Sequence, residues 1–147
     1  MHVRTSDEEF PRFNVLQHAR GIGYLSPDRD FLRGEVSDEC FDRLIELVRN
    51  APIHWFGYHD CELDPCGSGQ PPAELRDRGM LIPTRCSTDI LVPGAEVLYV
   101  APALILHYIR FHRFLPPADF LEAVMNCPDP KSQEYVNAVN RPYPTAR

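Results

Sequence analysis

Apolar residues recur with helical spacing in four stretches of the chain. The clearest stretch follows Ser37, a good N-cap residue, and starts with Asp38 and Glu39, which suit the positive end of a helix dipole. It should run to about residue 50 and bury the face formed by Phe41, Leu44, Ile45 and Val48. Three more helices are predicted over residues 101–115, 117–126 and 130–140, the last of them capped by Asp129.

Strand patterns lie between the first and second of these helices. Residues 53–61 alternate in the way a half-buried strand does, while Thr88–Val92 and Glu96–Val100 flank a Pro-Gly turn and predict a hairpin. A short edge strand is expected over residues 21–25. Together the elements predict a single α+β domain in which a small, mainly antiparallel sheet packs against three to four helices.

The domain is expected to span residues 21–140. An irregular arm over residues 1–20, with a helical turn near 13–18, should precede it, and a short tail over 141–147 should follow it. Residues 67–86 contain Gly-Ser-Gly and Pro-Pro sequences, so we expect a long loop there, with one helical turn at 73–78.

Composition narrows the classes of function. A chain of 147 residues suits one domain, and its net charge of -6 argues against sequence-independent binding to nucleic acid or to an anionic membrane. A basic protein partner is favoured instead. There is no signal-like or membrane-spanning run, and the odd number of five cysteines at irregular spacing favours reduced thiols, so a cytoplasmic protein is expected.

The most distinctive chemistry lies in the segment from Trp55 to Cys66. His59 and Cys61 share one face of the predicted strand, and a turn at Asp64-Pro65 could bring Cys66 back towards Cys61. A Cys-x4-Cys pair with an adjacent imidazole is compatible with a zinc site. The predicted ligand set is His59, Cys61, Cys66 and His107, with Cys86 and His112 as alternatives for the fourth position.

Other interpretations of the same residues remain open. His112, near a helix C-terminus, could simply interact with the helix dipole. Cys61 could be a nucleophile with His59 or His107 as its base, and Glu62 could serve as the acid–base residue of a small zinc hydrolase. The sequence contains no phosphate loop or dinucleotide motif.

The same segment could also contact a partner. Trp55, Phe56 and Tyr58 form an aromatic concentration of the kind found at interaction hot spots, and Asp60 and Glu62 add negative charge beside it.

Four blocks of sequence resemble an uncharacterised family of small bacterial proteins. The resemblance spans roughly residues 24–124, and in that family the first block tends to read His-x-Cys-x-x-Cys, whereas here the second cysteine is Cys66 and Asp64 stands in its usual place. It implies a bacterial, cytoplasmic protein and brings no reaction with it. The blocks are Gly57-Tyr58-His59-Asp60-Cys61-Glu62, Ile90-Leu91-Val92-Pro93-Gly94, the run Tyr99-Val100-Ala101-Pro102-Ala103-Leu104-Ile105-Leu106-His107-Tyr108, and Leu115-Pro116-Pro117-Ala118-Asp119-Phe120.

Three functions follow, in order of preference. The first is a non-enzymatic protein-binding module, of the immunity or antitoxin type, that binds or neutralises a basic protein. The second is a zinc-binding protein, with a structural site or as a small hydrolase. The third is a thiol enzyme that uses Cys61.

Overall fold

The computed structural model of the chain describes residues 19–70, 75–77 and 79–144. The expected arm and its helical turn near 13–18 lie outside the described residues, except for residues 19 and 20, and so does the end of the expected tail from residue 145 onwards. The remaining part contains four helices and two sheets, which confirms the predicted α+β class.

A four-stranded sheet forms the centre of the protein. Its strand order is β1-β6-β5-β2, with β2 antiparallel to β5, β5 antiparallel to β6, and β1 parallel to β6. The sheet is therefore mixed but mainly antiparallel, as predicted. Its strands are β1 (Arg20–Gly21), β2 (Ile53–Asp60), β5 (Arg85–Pro93) and β6 (Leu98–Pro102).

The segment expected to be a long loop contains a second, smaller sheet. Strands β3 (Leu75–Asp77) and β4 (Met80–Ile82) form an antiparallel hairpin, so the helical turn predicted at 73–78 is wrong. Arg110 ties this hairpin to the domain, because its Nε donates to Asp77 at 2.5 Å and its Nη2 contacts Asp38 at 3.3 Å. The hairpin is thus held against the helix that carries His107.

The first helix, α1 (Asp38–Arg49), agrees closely with its prediction. Ser37 is the N-cap, and its hydroxyl accepts a hydrogen bond from the backbone N–H of Cys40 at 3.2 Å. Two later helices also lie where they were expected, α3 (Ala118–Asn126) and α4 (Gln133–Asn140), although α4 is capped by Ser132 and not by Asp129.

The helix predicted over 101–115 is much shorter. Strand β6 continues to Pro102, and α2 covers only Ile105–Phe111. The reason is pairing, because Ala101 and Pro102 lie opposite Ile90 and Asp89 of the central strand β5. The sheet contact overrides a local helical pattern there. Residues 105–109 of α2 are all buried.

The central sheet and the helices enclose a continuous hydrophobic core. Its fully buried side chains come from α1, β5, α2 and α3, and they include Phe41, Leu44, Ile90, Leu91, Tyr108 and Phe120. Among the described residues, no helix has the length and apolar character that crossing a membrane requires.

Strand β2 carries a large irregularity in its pairing with β5. His54 lies opposite Thr88 and His59 opposite Cys86, so the four residues from 55 to 58 face the single residue 87. Gly57, with a φ of 81°, lies within this bulge. Such a bulge redirects side chains next to it, and two groups of polar residues lie on either side of this one.

Candidate metal centre

Four potential metal ligands converge at the end of strand β2. They are Cys61 and Cys66 from the segment after β2, together with His107 and His112 from α2 and its C-terminus, and their ligand atoms all lie within 4.8 Å of one another. Cys61 and His107 are buried, while Cys66 and His112 are half-buried. The cluster therefore lies just below the surface.

Three sulfur–nitrogen distances within the cluster are close to those of a tetrahedral zinc site. Cys61 Sγ is 3.3 Å from His112 Nε2, and Cys66 Sγ is 3.5 Å from His107 Nε2 and 3.9 Å from His112 Nε2. Bonds of about 2.3 Å to sulfur and about 2.0 Å to nitrogen at a tetrahedral angle separate the two atoms by about 3.5 Å. A zinc ion would thus fit between these side chains with little movement.

A tight turn places Cys66 beside Cys61. Residues Cys66–Ser68 form one turn of 3₁₀ helix, and the backbone N–H of Gly67 donates to Leu63 O at 2.8 Å. A Cβ on Gly67 would lie only 2.2 Å from the backbone oxygen of Glu62. Only glycine allows this close approach, which brings the two thiols to the same cluster.

The end of α2 places His112. The helix ends at Phe111, and the next residue but one, Arg113, adopts a left-handed conformation with a φ of 58°. Backbone hydrogen bonds hold the departing chain, because Gly34 N–H donates to Arg113 O and Leu115 N–H donates to Leu32 O, both at 2.9 Å. His112 is the C-cap residue of α2, and its imidazole lies 4.9 Å from that of His107, centroid to centroid.

Burial favours the neutral forms of Cys61, His107 and His112. It raises the pKa of the Cys61 thiol to about 12, with the neighbouring Cys66 adding to the shift. It also lowers the pKa of His107 to about 4, helped by the nearby His112, and lowers the pKa of His112, helped by Arg33. A buried thiol of this kind lacks the positive surroundings that activate a nucleophilic thiolate.

A buried hydroxyl group lies close to the two thiols. Tyr108 is fully buried, and its Oη has no hydrogen-bond partner among the described residues. Burial raises the pKa of the Tyr108 hydroxyl, and the Cys61 thiol raises it further, so this thiol lies near the hydroxyl. A metal-bound thiolate could accept a hydrogen bond from this hydroxyl, because groups around a metal site often form hydrogen bonds to its ligands.

The cluster contains three of the four predicted metal residues, Cys61, Cys66 and His107. The fourth member of the cluster is His112, which the sequence offered only as an alternative, and His59 lies outside it. His59 lines a separate pocket between β2 and β5. His59 instead lies opposite Cys86, the other alternative ligand.

The predicted partner-binding residues lie on β2 and just after it. Phe56 and Tyr58 are 72% and 70% exposed, whereas Trp55 is half-buried. Asp60 makes an ion pair with Arg85, whose Nε lies 2.8 Å from its carboxylate, and the guanidinium lies over the ring of Tyr58. The fifth residue, Glu62, is exposed.

Fold and site together define a small α+β domain with a Cys2His2 cluster whose geometry could bind a metal ion. Residues 5–125 match the family described as Domain of unknown function (DUF7919). The match covers most of the chain, and the protein belongs to this family. Searches among curated proteins and among solved structures found no match.

Proposed function

We propose that the protein is a zinc protein in which Cys61, Cys66, His107 and His112 hold one structural ion. The observation that carries the proposal is the convergence of two sulfur and two nitrogen atoms at separations typical of tetrahedral zinc. Two thiolates and two imidazoles in tetrahedral arrangement favour zinc over magnesium, calcium or manganese, which prefer oxygen ligands.

The arrangement favours a structural ion over a catalytic one. Catalytic zinc sites use three protein ligands and keep one position for water or substrate, whereas this cluster supplies four. A bound ion would connect the turn after β2 to the end of α2, two segments more than 40 residues apart in the chain. Zinc would therefore stabilise the fold in this region.

Elemental analysis of untagged protein tests the proposal. We expect about one zinc per chain in the wild type and a loss of zinc in Cys66→Ser and His112→Gln. Cys127→Ser is the matched control, because Cys127 is a half-buried free thiol outside the cluster. His59→Gln should also retain zinc, which separates the observed cluster from the set predicted from sequence.

Two results would overturn this assignment. One is wild-type protein that neither contains zinc nor binds it saturably when zinc is added. The other is a His112→Gln variant that keeps wild-type zinc affinity. Substitution by Co²⁺ adds a spectroscopic check, because a tetrahedral thiolate site gives ligand-field and charge-transfer bands that a random surface site does not.

Binding of a basic protein partner is a second candidate function. It is supported by the exposure of Phe56 and Tyr58 on β2, which is an edge strand of the central sheet. The test is capture of a defined basic partner by the wild type and by Phe56→Ser/Tyr58→Ser. Loss of binding in the double variant, but not in Leu32→Ser, is expected, because Leu32 is an equally exposed apolar residue elsewhere. Equal loss in both would exclude this surface.

A further inference from the structure

A second group of buried polar atoms lies on the other side of the bulge in β2. It surrounds a pocket of about 220 Å³ between β2 and β5. None of the four cluster residues lines this pocket, so it is independent of the proposed zinc site. The pocket is lined by Trp55, Phe56, Gly57, Tyr58, His59, Cys86 and Asp89.

Four polar atoms in the pocket wall make no well-aligned hydrogen bond to another described residue. They are both carboxylate oxygens of Asp89, Nε1 of Trp55 and Nε2 of His59. Asp89 is only 1% exposed, and buried polar groups nearly always have partners in folded proteins. A ligand that donates hydrogen bonds could pair with the Asp89 oxygens and with His59 Nε2 in this pocket.

Asp89 lies on the central strand of the sheet, between β2 and β6. Burial raises the pKa of its carboxyl to about 6, while weak hydrogen bonds from the nearby Tyr24 hydroxyl and Trp55 indole N–H lower it. The group is therefore mostly ionised at neutral pH. A buried carboxylate without a cation is unfavourable, since it has lost its water without gaining a charged partner.

The rest of the pocket wall is aromatic. Trp55, Phe56 and Tyr58 all come from the bulge, where four residues of β2 face a single residue of β5. Aromatic faces attract cations, and Tyr58 already does so, because the guanidinium of Arg85 lies 4.8 Å from its ring centroid. Asp60 balances the charge of Arg85 through its ion pair.

We propose that this pocket binds one organic cation, a protonated amine or a guanidinium group, between the aromatic wall and the carboxylate of Asp89. An anion would be repelled by Asp89, and a neutral apolar ligand would leave its oxygens unpaired. The volume is below the roughly 300–1,000 Å³ of pockets that enclose whole drug-sized ligands. The pocket therefore suits a single cationic group, from a free amine or from a lysine or arginine side chain.

The protein contains one tryptophan, which makes the test specific. The indole N–H signal of Trp55 is recorded by NMR at pH 7.5 during titration with propylammonium, methylguanidinium and the neutral analogue 1-butanol. At least one cation should shift this signal saturably, and the alcohol should not. Asp89→Asn should weaken binding at least tenfold, while Asp30→Asn, which removes an exposed carboxylate outside the pocket, should not.

Two further probes identify the source of the cation. Blocked tripeptides with a central lysine or arginine are titrated in the same way. Tighter binding of a tripeptide than of the free cation supports a basic protein side chain as the ligand and deepens the second candidate function. Binding of the free cation but not of the tripeptides supports the pocket as a site for a small amine. The binding of a basic protein partner is then contradicted, while the pocket proposal stands.

The proposal would be overturned if no cation shifts the Trp55 signal saturably, if 1-butanol shifts it equally, or if Asp89→Asn binds as well as the wild type. Asp89→Asn must first show a wild-type-like amide spectrum. If it does not fold, Trp55→Phe, followed through the backbone N–H signal of Tyr58, serves as the second variant and should also weaken binding.

Discussion

The two groups of polar side chains on either side of the β2 bulge differ in how they are paired. In the Cys2His2 cluster, each ligand atom lies close to another ligand atom, and the shortest contact is 3.3 Å. Around Asp89, four polar atoms make no well-aligned hydrogen bond within the described part of the chain. The first group can satisfy itself as thiol–imidazole pairs, whereas the Asp89 carboxylate has only weak hydrogen bonds from Tyr24 and Trp55.

This difference has a thermodynamic meaning. Removing the ion from the cluster costs the binding free energy of the ion. It leaves few unpaired groups, because the thiols and imidazoles can pair with one another. Without a ligand, the Asp89 pocket retains a buried carboxylate that opposes folding. The cluster should therefore be a stabilising site when occupied, and the pocket a destabilising site when empty.

Substitution Gly67→Ala should break the cluster and leave the pocket intact. The new Cβ would lie 2.2 Å from the backbone oxygen of Glu62, so the turn that carries Cys66 must move. Displacing one of four ligands should forfeit about a quarter of the roughly 10–16 kcal/mol with which structural zinc is bound, or about 2.5–4 kcal/mol. The measurement is zinc affinity by competition with a chromophoric chelator.

Ser68→Ala is the matched control for this variant. Ser68 lies in the same turn and its hydroxyl donates to the exposed Asp64 carboxylate, so the turn backbone should survive its loss. Zinc affinity should stay within about twofold of the wild type. Unchanged affinity in Gly67→Ala would show that Cys66 is not a ligand.

Substitution Asp89→Asn should stabilise the protein at neutral pH. The folded carboxyl has a pKa of about 6 against the ordinary 3.8, so the unfolded state ionises first as the pH rises. The resulting loss of stability begins near pH 4, is complete above about pH 6 and amounts to at most about 3 kcal/mol. The neutral variant escapes this penalty.

Urea unfolding of wild type and variant, both with metal removed, measures the effect. The variant should be more stable at pH 7.5, and the difference should shrink towards pH 4.5. Saturating ligand should remove the advantage by stabilising only the wild type. A variant less stable than the wild type at pH 7.5 would mean that Asp89 is already paired in the folded protein.

The local sequence signals predicted some elements well. Ser37 with two acidic residues after it located α1 closely, because capping and periodicity are properties of neighbouring residues. The hairpin around Pro93 was also predicted, although β5 is longer than expected and β6 begins and ends two residues later. The helix over 101–115 failed at its start, since pairing of Ala101 with Ile90 depends on a residue distant in sequence.

The candidate site was predicted in part for the same reason. Cys61 and Cys66 lie on one turn, and the sequence indicated that they meet. His112 joins them from the C-cap position of α2, where the chain leaves the regular helical geometry on which helical spacing depends. Asp89 was not predicted as a site residue, although a charged residue within an apolar strand is unusual and indicates a candidate site.

Substitution Tyr108→Phe should have the smallest effect and distinguishes the two groups most finely. Like the polar atoms of the pocket, the Tyr108 hydroxyl makes no hydrogen bond within the described residues. It lies, however, near the thiols of the cluster. If it donates to a zinc-bound thiolate, its removal should lower zinc affinity about tenfold, or about 1.4 kcal/mol. The metal-free protein should lose no stability, because the hydroxyl has no partner there.

Tyr135→Phe provides the opposite control for this last variant. The Tyr135 hydroxyl donates to Leu91 O at 2.6 Å, so its loss should destabilise the protein by about 1 kcal/mol and leave zinc affinity unchanged. Zinc affinity and the urea midpoint of the metal-free protein are measured for both variants. Lower zinc affinity only in Tyr108→Phe, together with lower stability only in Tyr135→Phe, would show that the Tyr108 hydroxyl forms its hydrogen bond only when metal is bound. Identical zinc affinity in Tyr108→Phe and wild type would instead make Tyr108 a packing residue.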